Sequence, residues 1–283
     1  MAQQYIDSLP NDTTYINLSC KNLTTLPDLS RFKNLQKLDC SNNRLTSLPT
    51  LNNNLQELNC SSNQLTSLPT LNEHLHILYC YNNQLTSLPT LNNNLQELDC
   101  TYNQLTSLPV LNNNLKILYC SNNQLTSLPP LNNNLQELYC YNNQLTSLPP
   151  LNEHLQELDC SNNQLTSLPP LNNNLQELHC SHNLLTFLPP LNEHLQDLHC
   201  FENPFDVLDS DDNIDIMKKK IYILFRFRFI YYSVKFKRQF RKWLWERIRE
   251  PKIAEKYHPR YLQEHLHDDS NIDEVLNKWI GDD

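Results

Sequence analysis

One glycine, Gly281, stands in 283 residues, and it lies near the C-terminal end. Loops that cradle phosphate need several glycines, so that backbone N–H groups can approach the anion without a Cβ in the way. No such loop can form here. A strained strand-to-helix turn presenting a nucleophilic serine is equally missing. No run of about 18 apolar residues occurs, so no segment is expected to span a bilayer. The opening stretch, Met1–Pro10, has no basic start followed by an apolar run, so no secretory signal is expected. Cations are scarce over most of the length. Residues 1–212 carry 6 Lys/Arg against 20 Asp/Glu, a net of −14, whereas residues 213–283 carry 16 against 11, a net of +5. An acidic body and a basic tail imply two parts with different roles.

What the chain does have in quantity is set at a fixed interval. All ten cysteines fall every twenty residues, from Cys20, Cys40 and Cys60 to Cys200. Cysteines paired for disulfides or zinc do not keep one period; an internal repeat does. Aligned on itself, the chain gives the unit LxxLxCxxNxLTSLPxLNxx. Leu55, Leu58 and Cys60 open one copy, and Asn63, Leu65, Leu68, Pro69 and Leu71 follow. Nine units keep this frame from Leu35 onward. The first, around Cys20-Lys21-Asn22-Leu23, is irregular, and Asp28 to Asn34 makes up the difference.

Each constant position has a physical reading. Leu55, Leu58 and Cys60 alternate onto one side of a short strand, and Leu65, Leu68 and Leu71 turn inward along the rest of the coil. One coil cannot bury these side chains alone, so coils must stack and their strands align in a parallel sheet. Asn43, Asn63, Asn83 and their successors to Asn203 form a ladder that can bond the backbone where the chain leaves the strand. Pro49, Pro69 and their equivalents fix φ and lack an N–H, so the far side is expected to be extended or polyproline-like. Asparagine must serve any left-handed turn position. The cysteines read as a ladder of small buried hydrophobes. Rungs about 4.8 Å apart would allow a disulfide by distance alone, yet side chains on neighbouring parallel strands point the same way. Ten free thiols point to a reducing compartment, cytosol or nucleus, and the protein is expected to be cytoplasmic.

LxxLxCxxNxL resembles the leucine-rich-repeat signature, with Cys in the third apolar slot. The twenty-residue unit with LTSLP is similar to the short bacterial effector type, and the near-identical Asn-rich copies resemble leucine-rich-repeat proteins of giant amoeba-infecting viruses. The resemblance covers residues 15–205. It implies an α/β solenoid, a leucine-rich-repeat horseshoe with a short-stranded parallel sheet on its concave face, which binds partners; for a viral protein the compartment would be the host cytosol. Effector-type relatives can carry a ubiquitin-ligase domain with a catalytic cysteine outside the repeats. No cysteine follows Cys200, so neither that nucleophile nor a zinc-binding RING is available. The chain is expected not to be an enzyme and to need no cofactor.

The repeats differ from one another at few positions. The third residue of the motif reads Lys37, Glu57, Ile77, Glu97, Ile117, Glu137, Glu157, Glu177 and Asp197. The fifth reads Asp39, Asn59, Tyr79, Asp99, Tyr119, Tyr139, Asp159, His179 and His199. The seventh includes Tyr81, Tyr141 and Phe201, and the eighth includes Tyr102. Strand alternation places the third, fifth and seventh on the solvent face of the sheet. Candidate partner-binding residues are therefore Tyr79, Tyr81, Glu97, Asp99, Tyr102, Tyr119, Glu137, Tyr139, Tyr141, Glu157, Asp159, Glu177 and His179. Tyrosines offer large, rigid contact area, and the acidic columns suit a partner with basic and apolar groups while repelling phosphates. The competing reading is a surface that drifts without a selected ligand. His179 and His199 stand on adjacent rungs with His182 near, but no evident further ligand accompanies them, so no metal is assigned.

Residues 1–14 read as an N-terminal cap, 15–205 as ten repeat units, 206–217 as an acidic linker or cap, and 218–283 as a basic-aromatic helical segment. Phe205 is expected to plug the end of the core. Phe225, Phe229, Tyr232, Phe236, Phe240, Trp243 or Leu244, and then Ile248 follow steps of three and four, which marks an amphipathic helix that Pro251 should end or kink. The alternation Phe225 to Phe229 leaves its start open between helix and strand. Ser270 to Asp273 is expected to cap a last short helix. Arg226, Arg228, Lys237, Arg238, Arg241 and Lys242 form a basic stripe. It suits solvated capping of the solenoid, docking to a partner or membrane surface, or nucleic-acid binding. Two functions remain in view: a module that captures a protein on the Tyr/acidic face, and a structural component of an assembly.

Overall fold

The computed structural model describes residues 2–204 and 213–247; within the closing helix, side chains are described for residues 214–226 and 234–237. The chain divides into two units, 1–225 and 226–283. The first opens with helix α1 (Ala2–Ser8). Ten three-residue strands follow: β1 (Tyr15–Asn17), β2 (Lys37–Asp39), β3 (Glu57–Asn59), β4 (Ile77–Tyr79), β5 (Glu97–Asp99), β6 (Ile117–Tyr119), β7 (Glu137–Tyr139), β8 (Glu157–Asp159), β9 (Glu177–His179) and β10 (Asp197–His199). They form one parallel sheet in sequence order, β1 to β10. Helix α2 (Ile214–Arg247) ends the described chain.

Register follows from the repeat. Leu58 stands opposite Leu78, and Leu78 opposite Leu98, so identical side chains stack rung upon rung. From β3 to β9 the central Leu of each strand is buried and its two neighbours half-buried. Leu65, Leu75, Leu78 and Cys80 are fully excluded from solvent and belong to one continuous core. Ladder bonding runs past the strands: the Cys60 N–H donates to Tyr79 O at 2.8 Å and the Gln64 N–H to Leu45 O at 2.9 Å. No helix forms between consecutive strands, so the proline-bearing far side is not helical.

The asparagine ladder closes the turn after each strand. Asn63 Nδ2 donates to Cys40 O of the preceding rung and to its own Cys60 O, both at 3.0 Å, and to Ser61 O at 3.1 Å. Its Oδ1 accepts the Leu45 N–H at 2.9 Å. One side chain thus satisfies several backbone groups that the turn would otherwise bury unpaired. The residue before it takes the left-handed conformation, with φ of 52–55° at Asn42, Ser62, Asn82, Tyr102, Asn122, Asn142, Asn162, His182 and Glu202. Asparagine holds that place where the sequence is regular. Ser62, Tyr102, His182 and Glu202 occupy it at a steric cost.

A second asparagine column was not legible as such. Asn92, Asn112, Asn132, Asn152 and Asn172 are buried on the far side of the coil. Asn132 Nδ2 donates to Asn112 O at 2.8 Å and Leu115 O at 3.0 Å, while its Oδ1 accepts the Asn134 N–H at 2.7 Å. A third column, at the outer turn, includes Asn94, Asn114 and Asn134, each donating to a carbonyl of the preceding rung, and His154 Nδ1 contacts Asn133 O at 2.8 Å.

The first rung corrects the cysteine reading. Tyr15 pairs with Lys37, an offset of 22 residues rather than 20. Leu18 therefore fills the slot that Cys40 fills one rung later, and it is fully buried. Cys20 is instead exposed, in a turn at φ 55°. The other nine cysteines are buried and unpaired. The near end of the core is covered by Ile6 of α1 and by Phe32. The Arg31 guanidinium lies 4.4 Å from the centre of the Phe32 ring and donates to Leu9 O at 3.1 Å and Asn11 Oδ1 at 2.9 Å.

At the other end, α2 begins at Ile214, inside the stretch read as linker. Asn213 Oδ1 accepts the Ile216 N–H at 3.0 Å and caps the helix. Met217 and Ile221 bury themselves in the solenoid core, and Lys218 Nζ donates to Glu193 O at 3.0 Å. Phe225 to Phe229 is helical; a five-residue alternation does not outweigh a capped helix with the right period on both sides. No helix among the described residues is long and apolar enough to cross a membrane. The Phe205 plug, the stop at Pro251 and the short helix after Ser270 lie outside the described residues.

Candidate binding face of the sheet

The third and fifth residues of the motif flank the buried central Leu and so stand on the outer face of the sheet, in two adjacent columns. Parallel register brings each fifth-position Tyr beside the third-position residue of the next rung. Tyr79 donates its hydroxyl proton to Glu97 Oε1 at 2.9 Å, Tyr119 to Glu137 Oε2 at 3.3 Å, and Tyr139 to Glu157. Where two tyrosines are consecutive they stack: the Tyr119 and Tyr139 rings lie 4.8 Å apart at 22°. The phenols are thus half-buried and oriented by carboxylates.

Their electrostatics follow. Burial, then the Glu137 carboxylate beside it, pushes the Tyr119 hydroxyl up to about 12. Burial and a hydrogen bond to a carboxylate raise Tyr79 and Tyr139 as well. Tyr141 is raised by burial, partly offset by the neighbouring Asn122 side chain. Glu137 is also raised, first by burial and then by the like charge of Glu157, against the opposing hydrogen bond from Tyr119. The face presents neutral tyrosines among crowded carboxylates, an arrangement that favours an incoming cation. At its start, Lys37 Nζ pairs with Glu57 at 2.7 Å.

Asp99 and Asp159 each turn one carboxylate oxygen back onto their own chain, accepting the Thr101 and Ser161 N–H at 3.0 Å. At the seventh position Ser61 and Ser121 are buried, while Tyr81, Tyr141 and Phe201 are half-buried, as Tyr79, Tyr119 and Tyr139 are. Tyr102 is well exposed, at 57 %. Glu177 lies half-buried between the tyrosine rungs and the last coils.

His179 does not join the tyrosines. It contacts Asp197 Oδ2 at 3.2 Å through Nε2, and His199 Nε2 contacts Asp197 Oδ1 at 3.2 Å. Sequence reasoning noted the two histidines and missed the aspartate; its signal was the two-residue spacing that puts Asp197 and His199 on one face. In the second unit, Arg226 and Lys237 are exposed on α2. Arg228, Arg238, Arg241 and Lys242 lie within the helix, their side chains outside the described residues.

Family models for leucine-rich repeats match residues 34–53 and, as paired copies, five overlapping segments from 53–93 to 153–193. The chain belongs to the leucine-rich-repeat family. Among solved structures it is similar to YopM of Yersinia enterocolitica WA-314, with 33% identity over 73% of this chain and a TM-score of 0.64. It is similar at 36% identity over 69% of its length, TM-score 0.64, to YopM of Yersinia pestis, a leucine-rich effector protein. The leucine-rich-repeat domain of a Shigella effector matches at 32% identity over 59% of this chain and 75% of that one, TM-score 0.52. The chain spans about half the length of the two YopM chains, 51% and 56%. Comparison with curated proteins found no match. Proteins of this family generally mediate protein–protein interaction, and this leucine-rich-repeat chain has that family's sheet and coil.

Proposed function

We propose that this chain is a non-catalytic binding module that captures a protein segment on the Tyr/acidic face of its sheet, which would be the concave one, and that the segment is rich in Lys or Arg and apolar groups. One observation carries the reading. Three tyrosines, Tyr79, Tyr119 and Tyr139, are each fixed by a glutamate of the next rung. A fixed aromatic loses little entropy on contact, and its neighbouring carboxylates attract a cation. The test is selection of peptides from a random display library by the full chain. Wild type should enrich basic-apolar sequences, and the Tyr79/Tyr119/Tyr139→Ala triple variant should lose them. Enrichment of acidic sequences, or an unchanged set from the triple variant, would overturn the reading.

The nine buried, unpaired cysteines support a reducing, cytoplasmic setting. An origin among proteins of giant amoeba-infecting viruses rests on the near-identical Asn-rich copies. The basic segment favours one second reading, contact with nucleic acid or an anionic membrane surface through α2, where Arg226, Val234, Phe236 and Lys237 are exposed. Binding of the full chain to single-stranded DNA or anionic vesicles that weakens steeply with salt would support it.

A further inference from the structure

At the last two rungs the columns change chemistry. Elsewhere from β3 onward, an acidic third position is always glutamate: Glu57, Glu97, Glu137, Glu157 and Glu177. In β10 it is Asp197, one methylene shorter. The fifth position, elsewhere Asp, Asn or Tyr, becomes histidine in both β9 and β10. Register makes His179 and His199 direct neighbours, with ring centres 4.5 Å apart and tilted by 51°. The shorter carboxylate sits back between the two imidazoles, one oxygen toward each, at 3.2 Å and 3.2 Å.

Among the described residues, this is the one group of three His, Cys, Asp or Glu whose ligand atoms converge, all lying within 4.8 Å of one another. From these positions the geometry points to a binding site for a divalent first-row transition metal of the zinc class, held by His179 Nε2, His199 Nε2 and a carboxylate oxygen of Asp197. Tetrahedral zinc with donors at about 2.0–2.2 Å places those donors roughly 3.4 Å from each other. Each nitrogen already lies 3.2 Å from one of the two carboxylate oxygens, and small rotations of the carboxylate and of the exposed and half-exposed rings bring both nitrogens and one oxygen onto the ion. Two imidazoles and one carboxylate favour zinc, copper, nickel or cobalt over calcium or magnesium, which prefer oxygen alone. The open side leaves room for water or for a ligand atom from another molecule. The ion would tie β10, the last strand of the sheet, to β9.

This inference does not depend on the tyrosine face. The test is titration of the full chain, purified without a polyhistidine tag, with Co²⁺ followed by Zn²⁺. Wild type should develop the visible d–d absorption of cobalt bound by nitrogen and oxygen, with no sulfur charge-transfer band, and zinc should displace it. The His179→Asn/His199→Asn variant should bind at least about tenfold more weakly, since even outer partners of a metal ligand carry 10–100-fold in affinity. Asparagine is already accommodated at this slot as Asn59, and an unchanged unfolding temperature without metal checks that the fold is kept. The Tyr79/Tyr119/Tyr139→Ala variant should bind the metal as wild type does. Absence of cobalt binding at millimolar metal, a sulfur charge-transfer band, or equal affinity in the double-histidine variant would overturn the site.

Discussion

The two sides of each coil are built from different economies of sequence. Inside and on the far side, Leu, Cys and Asn recur rung after rung with almost no change, and each asparagine is bonded to backbone of its own and the preceding rung. On the outer face of the sheet, the residues that flank the same buried Leu change from Lys to Ile to Glu, and from Asn to Tyr to His. The difference teaches where stability resides and where it does not. Stacking demands identity wherever a side chain bridges rungs through the interior. A side chain that only meets its neighbours in half-exposed columns can change at little cost.

The largest expected effect tests the interior. Burial pushes Cys40 up to about 12 and raises the other ladder thiols above the ordinary value. Their folded values exceed the unfolded one, so the folded state holds its protons longer as pH rises. The stabilisation is complete below about pH 8.5 and falls progressively above it, by about 1.4 kcal/mol per pH unit for each thiol ionised only in the unfolded chain. Urea unfolding midpoints should therefore fall sharply between pH 8 and pH 10; a flat profile would refute the buried ladder. Next in size, Asn123→Ala removes donors to Cys100 O, Cys120 O and Ser121 O and the acceptor of the Leu105 N–H. Denaturant unfolding should show a loss of about 3 kcal/mol or more, because those groups stay buried. If Asn123→Ala cost no more than a surface substitution, the contrast between the two sides would collapse.

On the variable face the expected changes are small. Tyr139→Asn forfeits one ring stack and one hydrogen bond to Glu157, and should shift stability by about 1 kcal/mol. Smallest, and opposite in sign, is Tyr102→Asn. It relieves a tyrosine held at φ 53° and should raise stability by about 0.5–1 kcal/mol, read as a higher unfolding midpoint.

Much of the constant side could be read beforehand because its residues obey simple geometry. The alternation of Leu55, Leu58 and Cys60, the stacking of coils and the backbone-bonding role of Asn63 need only strand period and the demand for satisfied polar groups. What escaped depended on register between rungs. Cys20 keeps the twenty-residue count yet misses the ladder, because β1 is offset by 22 and Leu18 takes the slot. Asn132 reads as a polar turn residue until the preceding rung supplies its carbonyls. On the candidate face, the tyrosines were identifiable singly, while the glutamate that fixes each one, and the aspartate between two histidines, became visible only with the rungs side by side.

In-register stacking has a last consequence for how such a molecule can change size. A coil offers the next one the same leucines, cysteine and asparagines that it takes from the one before. Removing or inserting a whole twenty-residue block joins surfaces that already match, so the sheet stays continuous. Such an event shifts the outer pattern of tyrosine, acid and histidine along by one step, altering recognition in discrete units while the interior is left as it was.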